Sequence, residues 1–417
     1  MRIVLPNESA KLTPYLGRFL ALAGAEAWEK RRRQLVQDTR RSEAQVKIVS
    51  DYHWLEIFLS EQADAVAALR DLDVPAMPED FAVLQFAGMV VEVFQRLSPR
   101  GQRTLQGRLR SALTAETGFA ALYLEMDMAR RLFNQGNEVE FSDLEGTAQY
   151  DLHFSNERVS GEVECKSLSA DAGRKIHRKD FYRLLEKVQM QLLRRAESGA
   201  REIVVITLTD RLPSQAAGQH QICAAIQRIV GDASLTTLEG EFFSITREEF
   251  RQPLDEVRTD KREFYKACVK IYGENVHVAG PMPEQGRCIL VMRSILEDDT
   301  SKPWLEAMEK AVTQFSGARP GFIAVQFNDL APHELMTPSL RRRAAILFNA
   351  IIRRPDALHV AATFHCPYRG LVAAPGGIGA PGFSILNLEC TFPINMADYS
   401  ALLGSVPDEE FARLIGS

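Results

Sequence analysis

Two acidic residues and one lysine have the types and the spacing expected of a metal site. Asp151 lies in the segment Tyr150-Asp151-Leu152, and Glu164 and Lys166 follow 13 and 15 positions later. Side chains two residues apart on a β-strand share a face, so Glu164 and Lys166 are expected side by side. If both segments pair as a hairpin, Asp151 approaches Glu164. The sequence then predicts two carboxylates and one ammonium over a single spot of a sheet.

Such a spot has a definite chemistry. Two neighbouring carboxylates repel each other, and a hard divalent cation with oxygen ligands resolves that repulsion. A bound divalent cation acidifies a water molecule and polarises a phosphoryl oxygen. Lys166 could orient the attacking water or neutralise charge that develops on the phosphate. The pattern therefore indicates phosphodiester hydrolysis. The residues alone leave open a plain charged sheet face, on which Glu164 and Lys166 form a solvated pair.

The residues around this spot alternate as a half-buried strand does. Within residues 158–166, the face opposite Glu164 and Lys166 is small or apolar and consists of Val159, Gly161, Val163 and Cys165. This parity points the Cys165 thiol into the core, where a structural thiol is inert. Asn156 and Glu157 are predicted to form the hairpin turn before this strand.

Periodicity predicts the elements that position the strands. Their order is one helix, three strands, a second helix and a fourth strand, at residues 114–133, 139–141, 150–154, 158–166, 173–198 and 203–208. Short turns favour antiparallel neighbours, and the second helix allows a crossover, so a mixed α/β sheet is expected.

Together, Asp151, the tripeptide Glu164-Cys165-Lys166 and this element order resemble the PD-(D/E)xK nuclease superfamily, which has the restriction-endonuclease-like fold. The resemblance covers residues 113–208, about a quarter of the chain. It implies that Asp151 and Glu164 bind Mg²⁺ or Mn²⁺, that the backbone carbonyl of Cys165 is a further ligand, and that Lys166 assists the nucleophile. It also implies an acid from the first helix, for which Glu125 is preferred and Glu116 is the alternative.

Some exonuclease-like members of the superfamily carry a glutamine and tyrosine pair on the second helix. Gln189 and Gln191 are present here, but no tyrosine follows at the expected spacing. The chain therefore departs from that subgroup. By fold analogy alone, a role in restriction or phage defence is expected. The alternative is a catalytically inactive copy that binds nucleic acid or serves as a scaffold.

A basic stretch follows the tripeptide and indicates a nucleic-acid partner, with DNA preferred. The expected phosphate contacts are Arg174, Lys175, Arg178, Lys179 and Gln189. The formal net charge of −5 gives no global attraction to nucleic acid, so the prediction of a nucleic-acid partner depends on this local basic patch. A solvated helix face is the alternative for such a charge run.

Three regions are predicted along the chain: a helical region at 1–112, the nuclease-like core at 113–212 and an α/β region of unassigned role at 213–417. Within the last region, residues 287–293 and 322–327 are predicted as strands of one βαβ unit around the helix 302–315. The six cysteines are scattered, and there is no secretion signal or membrane-length apolar run. A cytoplasmic protein is expected, without a membrane partner; a homo-oligomer or a partner protein is left open.

Overall fold

A computed structural model describes residues 1–6, 8–39, 43–67, 78–169, 171–250, 254, 261–273, 275–330, 335–369, 372–374, 377–379, 382–395 and 397–403. The chain divides into two compact units. The main unit comprises residues 1–41, 49–170 and 301–417, and the second unit comprises residues 42–48 and 171–300. Along the chain, the second unit thus interrupts the main unit shortly after Lys166. The region boundaries expected at 112 and 212 do not coincide with these units.

Helices dominate the first part of the chain, as the sequence predicts. The helices are α1 (Ser9–Ala23), α2 (Ala25–Thr39), α3 (Glu43–Ala67), α4 (Pro78–Arg96), α5 (Pro99–Ala112), α6 (Ala120–Asn134), α7 (Ser142–Glu145), α8 (Arg178–Glu197), α9 (Ala216–Gly231), α10 (Lys261–Tyr272), α11 (Ser301–Gln314), α12 (Pro338–Ile352) and α13 (Ser400–Leu403). Among these, α5, α6 and α11 carry residues of the candidate site. No helix in the described ranges has the length and apolar character needed to cross a membrane.

The strands form a six-stranded sheet in the main unit, a five-stranded sheet in the second unit and a small hairpin. They are β1 (Glu138–Phe141), β2 (Leu152–Ser155), β3 (Ser160–Leu168), β4 (Arg201–Leu208), β5 (Thr237–Glu239), β6 (Phe243–Glu249), β7 (His277–Ala279), β8 (Arg287–Ser294), β9 (Gly321–Phe327), β10 (Val360–Pro367), β11 (Val372–Ala374), β12 (Gly377–Gly379) and β13 (Phe383–Leu386).

The main sheet is mixed and has the order β1-β2-β3-β9-β10-β13. Antiparallel pairing joins β1, β2 and β3, whereas β3, β9 and β10 run parallel. Alternate residues of β9 enter different cores: Phe322 packs in the cluster that contains α6, and Ile323 packs in the cluster that contains α11. The sheet is therefore covered by a helix on each face, which is why β9 is a continuous buried run.

The strand at residues 203–208 does not belong to this sheet. It is part of β4, which pairs with β6 and β8 in the second unit, in the order β5-β6-β4-β8-β7. The prediction that this strand completes the core sheet is wrong, and β9 occupies that position beside β3. The predicted βαβ unit is also wrong, because β8 and β9 lie in different sheets. Local periodicity predicts a buried strand but not the strand that it pairs with. Here β9, which pairs with β3, comes after the second unit in the sequence.

Candidate active site

The predicted hairpin of β2 and β3 is confirmed, together with its register. Leu152 pairs with Val163 and Phe154 pairs with Gly161, so the next residue of the ladder, Asp151, faces Glu164. The backbone of Asn156 donates to the carbonyl of Val159 at 2.9 Å, which closes the turn. Period-two alternation therefore places the acidic residues together, as expected.

Asp151 is fixed by the backbone of the neighbouring strand. Its Oδ2 accepts a hydrogen bond from the backbone N–H of Cys165 at 2.7 Å, and the residue is buried. Burial raises the pKa of the Asp151 carboxyl, although this hydrogen bond and the charges of Arg108 and Lys166 oppose the shift. The acid is thus held at β3 in surroundings that disfavour its charge.

Of the three predicted metal-binding acids, Glu125, Asp151 and Glu164, the most deeply buried is Glu164, with 3% of its surface exposed. Its Oε1 accepts from Nζ of Lys166 at 2.5 Å, whereas its Oε2 is buried and meets no hydrogen-bond partner among the described residues. Burial and the charge of Asp151 raise the pKa of Glu164 to about 7. The side chain of Lys166 is only 14% exposed. The alternative of a solvated Glu164–Lys166 pair is therefore wrong.

Glu125 on α6 belongs to the same group. The residue is buried, and burial followed by the charge of Asp151 raises its pKa to about 8, with Glu164 contributing in the same direction. Glu116, the alternative third acid, is exposed in the turn before α6. The geometry thus brings Glu125, rather than Glu116, together with the two strand acids.

Sequence reasoning missed two further side chains that contact these residues, Arg108 and Gln314. Arg108 on α5 donates from Nη1 to both oxygens of Glu125, at 2.9 and 3.1 Å. Gln314, the last residue of α11, accepts from Nζ of Lys166 at 2.5 Å and donates to the carbonyl of Gln149 at 3.0 Å. Gln314 lies 148 residues after Lys166. No local pattern links residues so far apart; the pairing of β3 with β9, the strand that follows α11, accounts for the approach of Gln314 to Lys166.

The segment after α11 also covers the polar face of β3. Glu162 is fully buried and accepts from the backbone N–H of Ser316 at 2.8 Å, and Arg319 lies 3.4 Å from the same carboxylate. Together with the contact of Gln314 on Lys166, these bonds reduce the exposure of the strand face to solvent. An effective low dielectric follows, and it strengthens the repulsion among the carboxylates.

The donor set suits a hard divalent cation. Burial raises the pKa of all three carboxyl groups, and repulsion by neighbouring acids adds to the shift for Glu125 and Glu164, so their surroundings disfavour the negative charge that a cation would compensate. Arg108 and Lys166 hold oxygens that a cation would need. As the side chains stand, no group of three His, Cys, Asp or Glu residues in the described ranges could hold a metal ion. A cation at this site requires at least one of these contacts to open.

Cys165 has the environment that its parity predicts. The residue packs against the core cluster of the α6 side, and burial raises the pKa of its thiol well above the ordinary value. The thiol is accordingly a poor nucleophile. Its backbone N–H, by contrast, positions Asp151. The role of its carbonyl as a metal ligand stays a prediction.

The predicted phosphate contacts belong to the second unit. Arg174 and Arg178 lie 3.5 and 3.8 Å from the carboxylate of Asp171, and Lys175 lies 3.7 Å from Asp210. Lys179 and Gln189 are half-buried on α8. That these residues stand beside Lys166 in the folded protein remains a prediction, since it rests on their proximity in the sequence.

Comparison with protein-family models, with curated proteins and with solved structures finds no match for this chain.

Proposed function

We propose that the chain is a metal-dependent nuclease that hydrolyses phosphodiester bonds of DNA, with its active site at Asp151, Glu164 and Lys166. The observation that carries the proposal is the buried group of Glu125, Asp151 and Glu164, in which one oxygen of Glu164 meets no hydrogen-bond partner in the part of the chain that the structure describes. Acids whose pKa is shifted by burial and by neighbouring charges cluster at functional sites, which supports the proposal.

The topology supports a restriction-endonuclease-like core within the main unit. Apart from the short helix α7 between β1 and β2, the order α6, β1, β2, β3, α11 and β9 is one helix, three antiparallel strands, a helix and a fourth strand parallel to β3. This is the order that the resemblance to the PD-(D/E)xK superfamily implies, with the second unit inserted between β3 and α11. The proposed core therefore consists of residues 120–168 and 301–327.

Asp151 and Glu164 would hold Mg²⁺ or Mn²⁺, with Glu125 as the third acid. The chemistry supplied by a bound cation is polarisation of a phosphoryl oxygen and acidification of a water molecule. The side chains of the chain do the rest. The three acids lose their protons as the cation binds, because a hard cation favours the carboxylate form. The ammonium of Lys166 donates a hydrogen bond to the attacking water or to the phosphoryl oxygen. Water adds to phosphorus and gives up a proton to solvent, the bond to the leaving sugar oxygen breaks, and that oxygen takes up a proton from solvent.

The substrate is proposed to be a polyanion, because the chain carries a concentrated basic stretch. Arg174, Lys175, Arg178 and Lys179 form a basic stretch in a chain of net charge −5. Contacts of such side chains with phosphates give affinity that falls with rising salt concentration. A second candidate function is DNA binding without cleavage, which is favoured by the contacts of Arg108 and Lys166 on the carboxylates.

A cleavage panel tests the proposal. The full chain is incubated with supercoiled, linear and single-stranded DNA and with RNA, each with Mg²⁺, Mn²⁺ or EDTA. Cleavage of a DNA substrate that requires the cation is the expected result. Salt-dependent binding of DNA without cleavage under any condition would favour the inactive copy. Metal-dependent cleavage of RNA alone would overturn the proposed substrate.

A further inference from the structure

Arg108 pairs with Glu125, the acid that α6 contributes to the candidate site. Its Nη1 lies 2.9 Å from Oε2 and 3.1 Å from Oε1 of Glu125, so the guanidinium meets both carboxylate oxygens. Its Nη2 donates to Asp143 on α7. The side chain of Glu125 is 11% exposed, whereas that of Arg108 is 30% exposed. The guanidinium thus lies between a buried acid and a more exposed one.

The neighbouring acids explain why the positively charged guanidinium of Arg108 lies beside Glu125. Glu125 lies in the field of Asp151 and Glu164, and burial removes the water that would otherwise screen their repulsion. A guanidinium supplies one positive charge and cannot lose its proton in a protein. Arg108 can therefore release Glu125 only by moving, and its partial exposure leaves a direction in which to move.

We infer that Arg108 is a built-in competitor of the divalent cation: it holds Glu125 in the metal-free chain and gives it up when the cation binds. The inference rests on the proposed function, because it takes the acidic group as a cation site. A dication and a guanidinium on the same carboxylate repel each other, so each lowers the affinity of the site for the other. Asp143 accepts a hydrogen bond from Nη2 of Arg108 and keeps this side chain at the edge of the site after Arg108 has released Glu125.

The described ranges contain no group of His, Cys, Asp and Glu side chains that could hold a metal ion as they stand. Competition by Arg108 makes the resting protein weak in cation binding. The opposing role for Arg108 is a structural ion pair that ties α5 to α6. A structural pair stabilises the fold but does not compete for a cation, so the two roles differ in what removal of Arg108 does to metal affinity.

The test titrates the full-length chain with Mn²⁺ alone and measures free Mn²⁺ by electron paramagnetic resonance. Arg108→Gln is expected to bind Mn²⁺ about tenfold more tightly than the unmodified chain, since a charge-assisted hydrogen bond no longer has to open. Arg110→Gln is the matched control, because Arg110 is exposed on the same helix. It is expected to leave the affinity unchanged. In the Glu125→Gln background, Arg108→Gln should bring no gain.

The outcomes separate the inference from the proposed function. If the unmodified chain binds Mn²⁺ and Arg108→Gln binds it equally or less tightly, the inference is overturned and the nuclease proposal stands. If only Arg108→Gln binds Mn²⁺, the inference is supported even where the unmodified chain cuts no DNA. If neither binds, both are overturned. Should Arg108→Gln not fold, Arg108→Lys retains the charge without the paired contact and is expected to bind Mn²⁺ with intermediate affinity.

Discussion

The backbone N–H of Cys165 donates a hydrogen bond to Oδ2 of Asp151 at 2.7 Å. The acid that precedes β2 is thereby fixed by the main chain of β3, at the same residue whose carbonyl is predicted to be a further metal ligand. An acid held in this way is preorganised, because its position does not depend on a flexible side-chain partner. The same contact gives a stability test that is separate from any activity.

Substitution of Asp151 should distinguish the hydrogen bond from the charge. Asn can still accept from the Cys165 N–H, whereas Ala leaves that N–H buried without a partner at a cost of about 1–3 kcal/mol. Urea unfolding in EDTA should therefore show Asp151→Ala to be less stable than Asp151→Asn by that amount. Equal stability of the two variants would show that the contact contributes nothing.

Gln314 is expected to position Lys166. Its amide joins the ammonium of Lys166 to the carbonyl of Gln149, two residues before Asp151. Loss of this bridge in Gln314→Leu should lower the cleavage rate about tenfold to a hundredfold, as a displacement of about 1 Å can. The KM for DNA should change little. Thr313→Ala is the matched control at the exposed neighbouring position. An unchanged rate in Gln314→Leu would assign the bridge to packing alone.

The raised pKa values predict the pH dependence of the metal-free fold. The pKa of Glu125 is raised from 4.5 to about 8 and that of Glu164 from 4.5 to about 7. In this window the unfolded chain has released these protons while the folded chain retains them. Stability therefore falls as pH rises from about 4.5 towards 8. In EDTA, Glu125→Gln should lose less Tm between pH 5 and pH 8 than the unmodified chain does. A loss of the same size in both would contradict the raised pKa.

Gly161 is expected to be required in β3. A Cβ at this position would lie 2.6 Å from the ring of Phe154 and 3.1 Å from that of Phe322. Gly161→Ala should therefore destabilise the protein by about 1–3 kcal/mol through overpacking. Gly107→Ala, on α5 with nothing within 4 Å of its Cβ, should instead stabilise it by about 0.5–1 kcal/mol. Urea unfolding of the pair measures both, and a neutral Gly161→Ala would show that the two rings can move aside.

Strand parity and a short turn are local properties, and they were sufficient to place Asp151 opposite Glu164. Completion of the sheet was not predictable in this way, because β4 and β9 are both buried strands that follow a helix. They differ in their partners: β9 pairs with β3, whereas β4 pairs with β6 and β8. Arg108 and Gln314 were missed for a related reason. They reach the site from helices whose contacts depend on packing, whereas Glu125 was found through the element order that the resemblance implies.

The central claim is that Asp151, Glu164 and Lys166 form a cation-dependent cleavage site. The most direct measurement is single-turnover cleavage of a DNA substrate in Mn²⁺ by the unmodified chain, Lys166→Met and Asp151→Asn. Lys310→Met serves as the control, because Lys310 is exposed on α11. We expect Lys310→Met to cut at the unmodified rate. Lys166→Met and Asp151→Asn should lose at least about a hundredfold in rate, in line with the removal of a charge-stabilising group. Cleavage at the unmodified rate by both, or cleavage that persists in EDTA, would contradict the account.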